Sequence, residues 1–472
     1  MRALMVQGTS SSAGKSLLVT ALARYFARRG VAVAPFKAQN MSNNARVVEG
    51  GEIGTAQWLQ ALAAGVEPQV RMNPVLVKPE RDNRSQVVVL GRVHHALSRR
   101  AWRERAPDLW PPIAESLLSL ASDFELVLIE GAGSPAEPNL QDCDLANMAV
   151  ARLVGAPVLI VADIDRGGAF AHLYGTWSLL PESGRGLVRG FVLNKFRGDL
   201  SLLAPAPAGL KELTGVPVMG VIPWLRHGLP DEDGAAAPEA PSTEAAPVVA
   251  IVRYPTASNL DEFKALEQVA KVLWAGRPDD LRGADLVVLP GSKHVAADLG
   301  WLRRGGFPEA LARYAGGGGR LLGICGGMQM LGERLEDPGG VDGEGPGLGL
   351  LPLVTVFEPD KAIRLTTARF LTLASPWEAL SGQRLPGYEI RHGRSFPSTG
   401  ATEALPGGLG FVRGSVLGIY LHGLFEDPGL VSRLLGTRSR HHLGLEAVFD
   451  HLADVVASHL DTGRLDSLAG IR

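Results

Sequence analysis

Short runs of apolar residues, four or five positions long, recur along this chain between polar, glycine and proline positions. Runs of this length without alternation are typical of parallel strands that are buried on both faces. Apolar positions at helical spacing occupy the stretches between several of them. This alternation of strands and helices predicts a layered α/β architecture. The runs of the first half fall at residues 3–6, 31–35, 126–129, 158–161, 190–193 and 218–222, with helical patterns at 16–29 and 140–154.

The second half repeats this scheme, with apolar runs at residues 248–252, 286–289, 321–324 and 418–421. Between the halves, residues 231–247 show no apolar periodicity and consist of small, acidic and proline residues, a composition typical of an unpacked linker. A chain of 472 residues also exceeds the roughly 250 to 300 residues at which single cores stop growing. We therefore predict two α/β domains, residues 1–230 and residues 248–472, joined by the linker 231–247.

Composition narrows the classes of function. Hydrophobic residues make up 46% of the chain and the net charge is −2, so we expect a globular protein that offers no basic field to nucleic acid. No apolar run approaches the roughly 18 residues of a membrane span, and the chain begins as a strand rather than as an export signal. The two cysteines supply neither a disulfide framework nor a CxxC pair for zinc. We expect a cytoplasmic protein without a membrane partner.

A phosphate-binding loop is predicted where the first strand meets the first helix. Residues 8–16 have the sequence GTSSSAGKS, with one more residue between the glycines than the common GxxxxGK[ST] pattern. Backbone N–H groups, the helix dipole and the lysine ammonium converge on phosphates in such a loop, and the serine hydroxyl on Mg²⁺. We predict an ATP site built from Gly8, Thr9, Gly14, Lys15 and Ser16.

Two further strand ends carry polar residues. Glu130 follows the run 126–129, and a carboxylate at the carboxyl end of a parallel strand faces the crevice where ligands bind. We therefore predict that Ser16 and Glu130 hold Mg²⁺. Asn194 follows the run 190–193, where such folds often contact a nucleobase, but asparagine is also a common turn residue. Both interpretations of Asn194 stay open.

Cys325 occupies a predicted strand-to-helix turn in the sequence GICGGMQML. A thiol at a helix N-terminus loses its proton readily, and nearby glycines let a substrate carbonyl approach backbone N–H groups. A lone cysteine is more often a small core residue, but a core position does not need glycine on both sides. We predict a nucleophile. Cys143 lies between Asp142 and Asp144, whose charges disfavour a thiolate, and is expected to be inert.

These motifs resemble the cobyric acid synthase family, the glutamine-dependent amidases of corrin side chains in cobalamin biosynthesis, and the likeness covers nearly the whole chain. The resemblance implies a first domain with the fold of dethiobiotin synthetase and a second domain of the class I glutamine amidotransferase type. Besides the phosphate loop and the cysteine turn, it is carried by residues 35–44 (PFKAQNMSNN), 130–140 (EGAGSPAEPNL), 162–171 (ADIDRGGAFA), 194–199 (NKFRGD), 289–293 (LPGSK), 387–390 (GYEI) and 420–423 (YLHG).

The resemblance also implies chemistry at the second domain. Cys325 would attack the side-chain amide of glutamine, and His422 would pass a proton to the leaving ammonia. Backbone N–H groups near Gly291 and Gly326 would hold the developing oxyanion.

At the first domain the implied reaction is ATP-dependent amidation of the b, d, e and g carboxylates of (adenosyl)cobyrinic acid a,c-diamide. Within the motif 35–44, we expect Lys37, Gln39, Asn40 and Asn43 to face this anionic substrate.

Two positions of this chain depart from the sequence patterns of the families that it resembles. Most class I amidotransferases place a glutamate two residues after the catalytic histidine, where this chain has Leu424. The corrin amidases as a group lack that glutamate, so His422 is expected to be held by a backbone carbonyl, a water or another side chain such as Glu426. Family members also usually have histidine directly after GYEI, where this chain has Arg391 followed by His392.

Two rival functions remain to be weighed. Cobyrinic acid a,c-diamide synthase would perform the same chemistry on other carboxylates, but the motif 35–44 and the opening of the phosphate loop favour the first assignment. A partitioning-type switch ATPase would carry a second lysine near the start of the loop, and residues 1–14 contain no lysine.

Overall fold

The computed structural model describes residues 1–81, 84–229, 246–437 and 444–471. The chain forms two compact units, of which the first comprises Met1–Ser42, Val48–Leu229 and Leu443–Arg472, and the second Asn43–Val47 and Pro230–His442. Most of the predicted linker 231–247 lies outside the described residues. The division differs from the sequence interpretation at two places, because the C-terminal segment groups with the first unit and a five-residue segment near residue 45 groups with the second.

In the described part of the first 229 residues, the six predicted apolar runs form strands that are separated by helices, and six further strands, which the runs do not predict, lie between residues 39 and 93. The strands are β1 (Ala3–Gly8), β2 (Val33–Phe36), β3 (Gln39–Met41), β4 (Ala45–Val48), β5 (Gly51–Gly54), β6 (Val75–Arg81), β7 (Arg84–Val89), β8 (Arg92–Val93), β9 (Leu126–Glu130), β10 (Val158–Asp163), β11 (Val188–Phe196) and β12 (Val218–Pro223). The helices are α1 (Lys15–Ala27), α2 (Thr55–Ala63), α3 (His95–Arg99), α4 (Ala106–Asp123), α5 (Met148–Val154), α6 (Ala169–Leu179), α7 (Glu182–Arg185) and α8 (Ala206–Thr214).

The central sheet of the first unit has the order β12-β11-β10-β1-β9-β2, and every neighbouring pair is parallel. Most of its strands are buried on both faces, as their unbroken apolar sequences predict, whereas the edge strand β12 is only partly buried. The carboxyl ends of β1, β9, β10 and β11 therefore meet at one edge, where ligands of open α/β sheets bind. The predicted parallel-sheet domain is confirmed.

The C-terminal segment completes the core of the first unit. It contains α13 (Leu445–His459) and α14 (Thr462–Ala469). On α13, Phe449, Leu452 and Val456 are buried in one cluster with apolar side chains of α1. Burial of this apolar face explains why the segment belongs to the first unit although it follows the second in sequence.

The predicted helix 140–154 is only partly correct. A 3-10 helix occupies Gln141–Cys143, and the α-helix begins at Met148. The carboxylate of Asp144 accepts hydrogen bonds from the backbone N–H groups of Ala146, Asn147 and Ala149. This local turn ends the first stretch and starts a new helix, in the way that aspartate favours caps over helix interiors.

The second unit is also α/β. Its strands are β13 (Val248–Val252), β14 (Ala257–Ser258), β15 (Lys271–Ala275), β16 (Leu286–Leu289), β17 (Gly291–Ser292), β18 (Arg320–Ile324), β19 (Arg334–Glu336), β20 (Gly345–Pro346), β21 (Leu353–Arg369), β22 (Arg384–Pro397), β23 (Thr402–Leu405), β24 (Gly410–Arg413) and β25 (Val416–Ile419). Its helices are α9 (Val295–Arg304), α10 (Phe307–Gly316), α11 (Gly326–Leu331) and α12 (Pro428–Leu435), together with 3-10 helices at Leu260–Gln268 and Leu424–Glu426.

The main sheet of this unit has the order β15-β13-β16-β18-β25-β24-β23. It is parallel as far as β25, and β24 and β23 add an antiparallel edge. The runs predicted at 248–252 and 286–289 coincide with β13 and β16, whereas the run at 418–421 overlaps only the end of β25. The ends of β16, β18 and β25 are neighbours, which brings three distant sequence motifs to one edge. Across the described chain, none of the helices combines the length and apolarity that a bilayer span requires.

Candidate active sites

The phosphate loop folds as a compact turn between β1 and α1. Gly14 has a φ of 101°, and a side chain there would place its Cβ 1.9 Å from Asn194 Nδ2. Glycine is therefore required both by backbone conformation and by space. Lys15 is buried, and its ammonium donates to the backbone carbonyl of Ser10 at 3.0 Å. The structure brings Gly8, Gly14 and Lys15 together as predicted for a loop that wraps around phosphates.

Residues near the carboxyl ends of β10 and β11 support the loop through hydrogen bonds. The Asn194 side chain donates to the carbonyl of Ala13 at 2.9 Å, and the Lys195 ammonium donates to the carbonyl of Ser12 at 2.8 Å. The same ammonium pairs with Asp163 at 2.8 Å. In this structure Asn194 supports the loop, and its amide nitrogen is engaged by protein.

Glu130 lies at the carboxyl end of β9 and is fully buried, and its carboxylate accepts hydrogen bonds from neighbouring side chains. One carboxylate oxygen accepts from the Ser16 hydroxyl and from the Lys37 ammonium, both at 2.8 Å. The other accepts from the Gln60 amide at 2.5 Å. A buried carboxylate is tolerated only with such partners, and Lys37 supplies the compensating charge.

Ser16 and Glu130, the two residues predicted to hold Mg²⁺, are therefore in direct contact. A hydroxyl and a carboxylate are both hard oxygen donors of the kind that Mg²⁺ prefers. Among the described residues there is no group of three or more His, Cys, Asp or Glu side chains that could hold a metal ion. A magnesium ion at this place would take further ligands from phosphate oxygens and water, which is its usual habit.

The four residues predicted to face the substrate have different surroundings, and their role at the substrate stays a prediction. Lys37 is bonded to Glu130, and the Asn40 amide donates to Gln57 at 3.2 Å. Gln39 lines a cavity of about 480 Å³ in the first unit, whereas Asn43 belongs to the second unit. The strand alternation of β3 explains the separation of Gln39 from Asn40, because neighbouring strand residues point to opposite faces.

This cavity lies beside the phosphate loop, since Ser11 is part of its wall together with Ala132 and Gly133 after β9. Cys143 also lines it. Burial raises the pKa of the Cys143 thiol, and the charge of Asp142 raises it further. The expected suppression of the thiolate is confirmed in direction, although burial contributes more than the acidic neighbour.

In the second unit, Cys325 stands at a sharp turn between β18 and α11. Its φ is 52° and its ψ is −109°, a conformation that non-glycine residues seldom adopt. Its backbone N–H donates to the carbonyl of Ile419 on β25 at 2.7 Å, and its thiol donates to the carbonyl of Ile390 at 3.5 Å. Strained turns of this kind present a nucleophile at the end of a strand.

Gly291 and Gly326 flank this turn. A Cβ on Gly291 would lie 3.0 Å from His422 Cε1, and a Cβ on Gly326 would lie 2.8 Å from the backbone nitrogen of Ser292. Side chains at either position would fill the space beside the cysteine. Glycine at both positions avoids these close contacts, and the role of the neighbouring N–H groups as an oxyanion site stays a prediction.

His422 follows β25 and is held by Glu262, which the sequence interpretation did not identify. His422 Nδ1 lies 2.9 Å from Glu262 Oε1, and the backbone N–H of Gly423 donates to Glu262 Oε2 at 3.1 Å. All of Glu262 is buried. The imidazole also stacks on Tyr388, with ring centroids 5.2 Å apart and an angle of 18° between the planes. A carboxylate at Nδ1 fixes the tautomer and leaves Nε2 for the cysteine.

The charge of Glu262 changes the protonation of His422. Burial alone would lower the pKa of His422, but the charge of Glu262 and hydrogen bonds to Cys325 and Glu262 outweigh burial and raise the pKa to about 10. The histidine is therefore protonated at neutral pH. A protonated His422 beside Cys325 is a proton donor for a leaving group.

As expected, another side chain holds His422, but it is Glu262 rather than Glu426. Glu426 does not hold His422, because its carboxylate pairs with Arg46. His392 hydrogen-bonds through Nδ1 to the carbonyl of Glu358 at 3.2 Å, and burial lowers its pKa to about 4, with help from nearby lysines. His392 is neutral at pH 7 and lies on the long hairpin of β21 and β22. The arginine that departs from the family pattern, Arg391, pairs with Glu389 at 2.9 Å.

The two sites define a class of protein, a nucleotide-binding α/β domain joined to a glutamine amidotransferase domain. Family models agree with this division. Residues 4–228 match the CobQ/CobB/MinD/ParA nucleotide binding domain, and residues 248–429 match the CobB/CobQ-like glutamine amidotransferase domain.

Full-length relatives narrow the class to a family. The chain is 53% identical to a cobyric acid synthase of Polaromonas sp. over 99% of this chain and 98% of the relative. It is 54% identical to that of Variovorax paradoxus over 99% of both chains, and 56% identical to that of Paracidovorax citrulli over 98% of this chain and 97% of the relative. The chain belongs to the cobyric acid synthase family, and the resemblance inferred from its motifs is confirmed.

Proposed function

We propose that this enzyme uses ATP and glutamine to amidate the b, d, e and g carboxylates of (adenosyl)cobyrinic acid a,c-diamide, in the biosynthesis of cobalamin. The full-length match to cobyric acid synthases carries the proposal. The Cys325, His422 and Glu262 arrangement supports it independently, because a nitrogen donor must first release ammonia from a stable amide.

In the glutaminase half-reaction, the Cys325 thiolate attacks the side-chain amide carbon of glutamine. Backbone N–H groups near Gly291 and Gly326 stabilise the oxyanion that forms. His422, which carries a proton at neutral pH, gives it to the departing ammonia, and Glu262 stabilises the charge of the imidazolium beforehand. Water then attacks the thioester carbon and gives a proton to His422. Glutamate and the Cys325 thiolate are released.

In the synthetase half-reaction, a corrin carboxylate must be activated because its anion has no good leaving group. Its oxygen attacks the γ-phosphorus of ATP, ADP leaves, and an acyl phosphate remains. Ammonia attacks the acyl carbon, and inorganic phosphate departs to leave the amide. We assign the phosphate loop, Lys15 above all, to offsetting charge during the phosphoryl transfer.

Ser16 and Glu130 are the residues proposed to hold Mg²⁺, which would neutralise charge on the phosphates. The Lys37 ammonium, 2.8 Å from Glu130, is close enough to share that task. We therefore propose that Lys37 contributes to the nucleotide site rather than to the corrin contacts. Gln39 keeps its proposed role at the corrin because it lines the cavity beside the loop.

The test is a product assay with purified protein, cobyrinic acid a,c-diamide, ATP, Mg²⁺ and glutamine, followed by mass spectrometry. The proposal expects successive amidations that end at side chains b, d, e and g. The neighbouring function, cobyrinic acid a,c-diamide synthase, is tested in parallel with cobyrinic acid as the substrate. Amidation of cobyrinic acid at a and c, with none of the diamide, would reject the proposal in favour of that function.

A further inference from the structure

Arg46 is a buried cation in a short segment, Asn43–Val47, that the first half of the sequence contributes to the second unit. Its Nη2 lies 2.5 Å from Asp261 Oδ2, and its Nη1 pairs with Glu426. Its guanidinium carbon lies 5.2 Å from the centroid of the Tyr388 ring. The segment is further tied to this unit by Asn44, whose side chain accepts from the backbone N–H of Leu260 at 3.1 Å.

Each of these three contacts of Arg46 belongs to an element that holds the glutaminase histidine. Asp261 directly precedes Glu262, the residue that bonds His422. Tyr388 stacks on the His422 imidazole, and the two residues exchange backbone hydrogen bonds at 3.0 and 3.3 Å. Through Asp261 and Tyr388, Arg46 thus contacts two of the elements that position His422.

Glu426 belongs to a third such element, because it ends the 3-10 helix Leu424–Glu426, which follows His422 and Gly423. Asp261, Glu262 and Glu426 are three carboxylates on neighbouring elements. Like charges in a buried place repel one another unless a cation lies between them. A guanidinium can pair with two carboxylates and pack on an aromatic ring at once, which an ammonium cannot do.

We propose that Arg46 is a positioning residue of the glutaminase site, which holds Glu262 and Tyr388 in register with His422 and couples the rate of glutamine hydrolysis to the corrin segment. The inference rests on the proposed function. Arg46 lies three residues after Asn43 in the motif 35–44 that the family resemblance assigns to the substrate. Movement of that motif when the corrin binds is transmitted along the backbone to Arg46, and through its carboxylate partners to Glu262.

The experiment compares the parent with Arg46→Gln and Arg46→Lys. We measure kcat and KM for glutamine hydrolysis without other substrates, the stimulation of hydrolysis by ATP with the corrin diamide, and amidation driven by ammonia. Lys78→Met is the matched control, because Lys78 is also a buried cation in an ion pair, with Glu52 of the first unit. Lys78→Met shows whether the loss of any buried positive charge lowers glutaminase activity, or only the loss of Arg46.

Arg46→Gln is expected to lower kcat for glutamine hydrolysis about tenfold, with KM for glutamine within about twofold, since Arg46 orients the base rather than binding glutamine. Arg46→Lys should recover part of kcat. In both variants the stimulation by ATP and corrin should shrink toward unity, while amidation from ammonia stays at the parent rate. Lys78→Met should keep the glutaminase kcat of the parent.

The inference is overturned if Arg46→Gln keeps the parent kcat and stimulation, or if Lys78→Met loses glutaminase activity to the same extent. Should Arg46→Gln fail to fold, Arg46→Gln combined with Asp261→Asn removes the charge and one of its partners, and the same expectations apply to it. Failure of the proposed function is distinct, because then the parent itself would not amidate the diamide with ammonia as the nitrogen source.

Discussion

The most informative substitution is Glu262→Gln, which keeps the size of the side chain and removes its charge. Glu262 is fully buried and contacts both His422 Nδ1 and the backbone N–H of Gly423. The amide of glutamine can still accept one of these hydrogen bonds. The main change is therefore the loss of the negative charge beside the imidazolium, and the variant tests the electrostatic role of Glu262 rather than its packing.

The size of the effect follows from the pKa of His422. A rise from 6.5 to about 10 corresponds to about 5 kcal/mol in favour of the imidazolium, and the charge of Glu262 is the largest of the contributions that raise it. Removing that charge lowers the pKa of His422 and depletes the imidazolium that gives its proton to the leaving ammonia. We expect kcat for glutamine hydrolysis to fall by about 100-fold or more, equivalent to about 3 kcal/mol.

The raised pKa of His422 also predicts how stability and glutaminase activity depend on pH. Because the folded-state pKa of His422 is raised, its ion pair stabilises the fold fully below about pH 6.5, and this stabilisation is lost as the pH rises through about 10. The difference in free energy of unfolding between the parent and Glu262→Gln should therefore be larger at pH 7 than above pH 10. The alkaline limb of glutaminase activity should also move to lower pH in the variant.

The assay follows glutamate release from glutamine across pH, without ATP or corrin. Glu52→Gln serves as the control, because Glu52 is an equally buried glutamate that pairs with Lys78 in the first unit. It should leave glutamine hydrolysis at the parent rate. Parent-like kcat and an unmoved alkaline limb in Glu262→Gln would refute the electrostatic role of Glu262.

Three further predictions address single positions. Cys325→Ala should abolish glutamine-dependent amidation and spare amidation from high ammonia, whereas equal loss with both nitrogen sources would make the residue structural; Cys143→Ala should keep both activities. Lys15→Ala should remove amidation with either nitrogen source, because it strips charge from the phosphoryl transfer, and parent-like amidation from ammonia would contradict the acyl phosphate. Leu424→Glu should not raise glutaminase turnover, because Leu424 is buried and Glu262 already holds His422, and faster hydrolysis would show that the histidine is poorly oriented in the parent.

The sequence alone predicts the sheets well, because strands that are buried on both faces have uninterrupted apolar runs. It also predicts the loop at Gly14 and Lys15 and the turn at Cys325, since each places its functional residues within a few positions of one strand end. Signals of this kind are local. The boundary of the second unit has no local signal in the sequence, because α13 belongs to the first unit through the apolar face that it buries there.

Glu262 was missed for the same reason. It lies 160 residues before His422, in a 3-10 helix rather than at a strand end. The signal that could have found it is the pair Asp261 and Glu262 beside Phe263, two carboxylates in a segment that is otherwise suited to burial. Arg46 follows the motif 35–44 by two residues, and nothing in its neighbours indicates contact with residues more than 200 positions away.

The most direct measurement of the central claim uses glutamine labelled with ¹⁵N at its side-chain amide, together with ATP, Mg²⁺ and cobyrinic acid a,c-diamide. We predict a product amidated at b, d, e and g, with ¹⁵N in each new amide. The same reaction with Cys325→Ala and ¹⁵N-ammonium as the nitrogen source should give the same labelled product. An unlabelled product, or a diamide left unchanged while glutamine is hydrolysed, would contradict the transfer of glutamine nitrogen to the corrin.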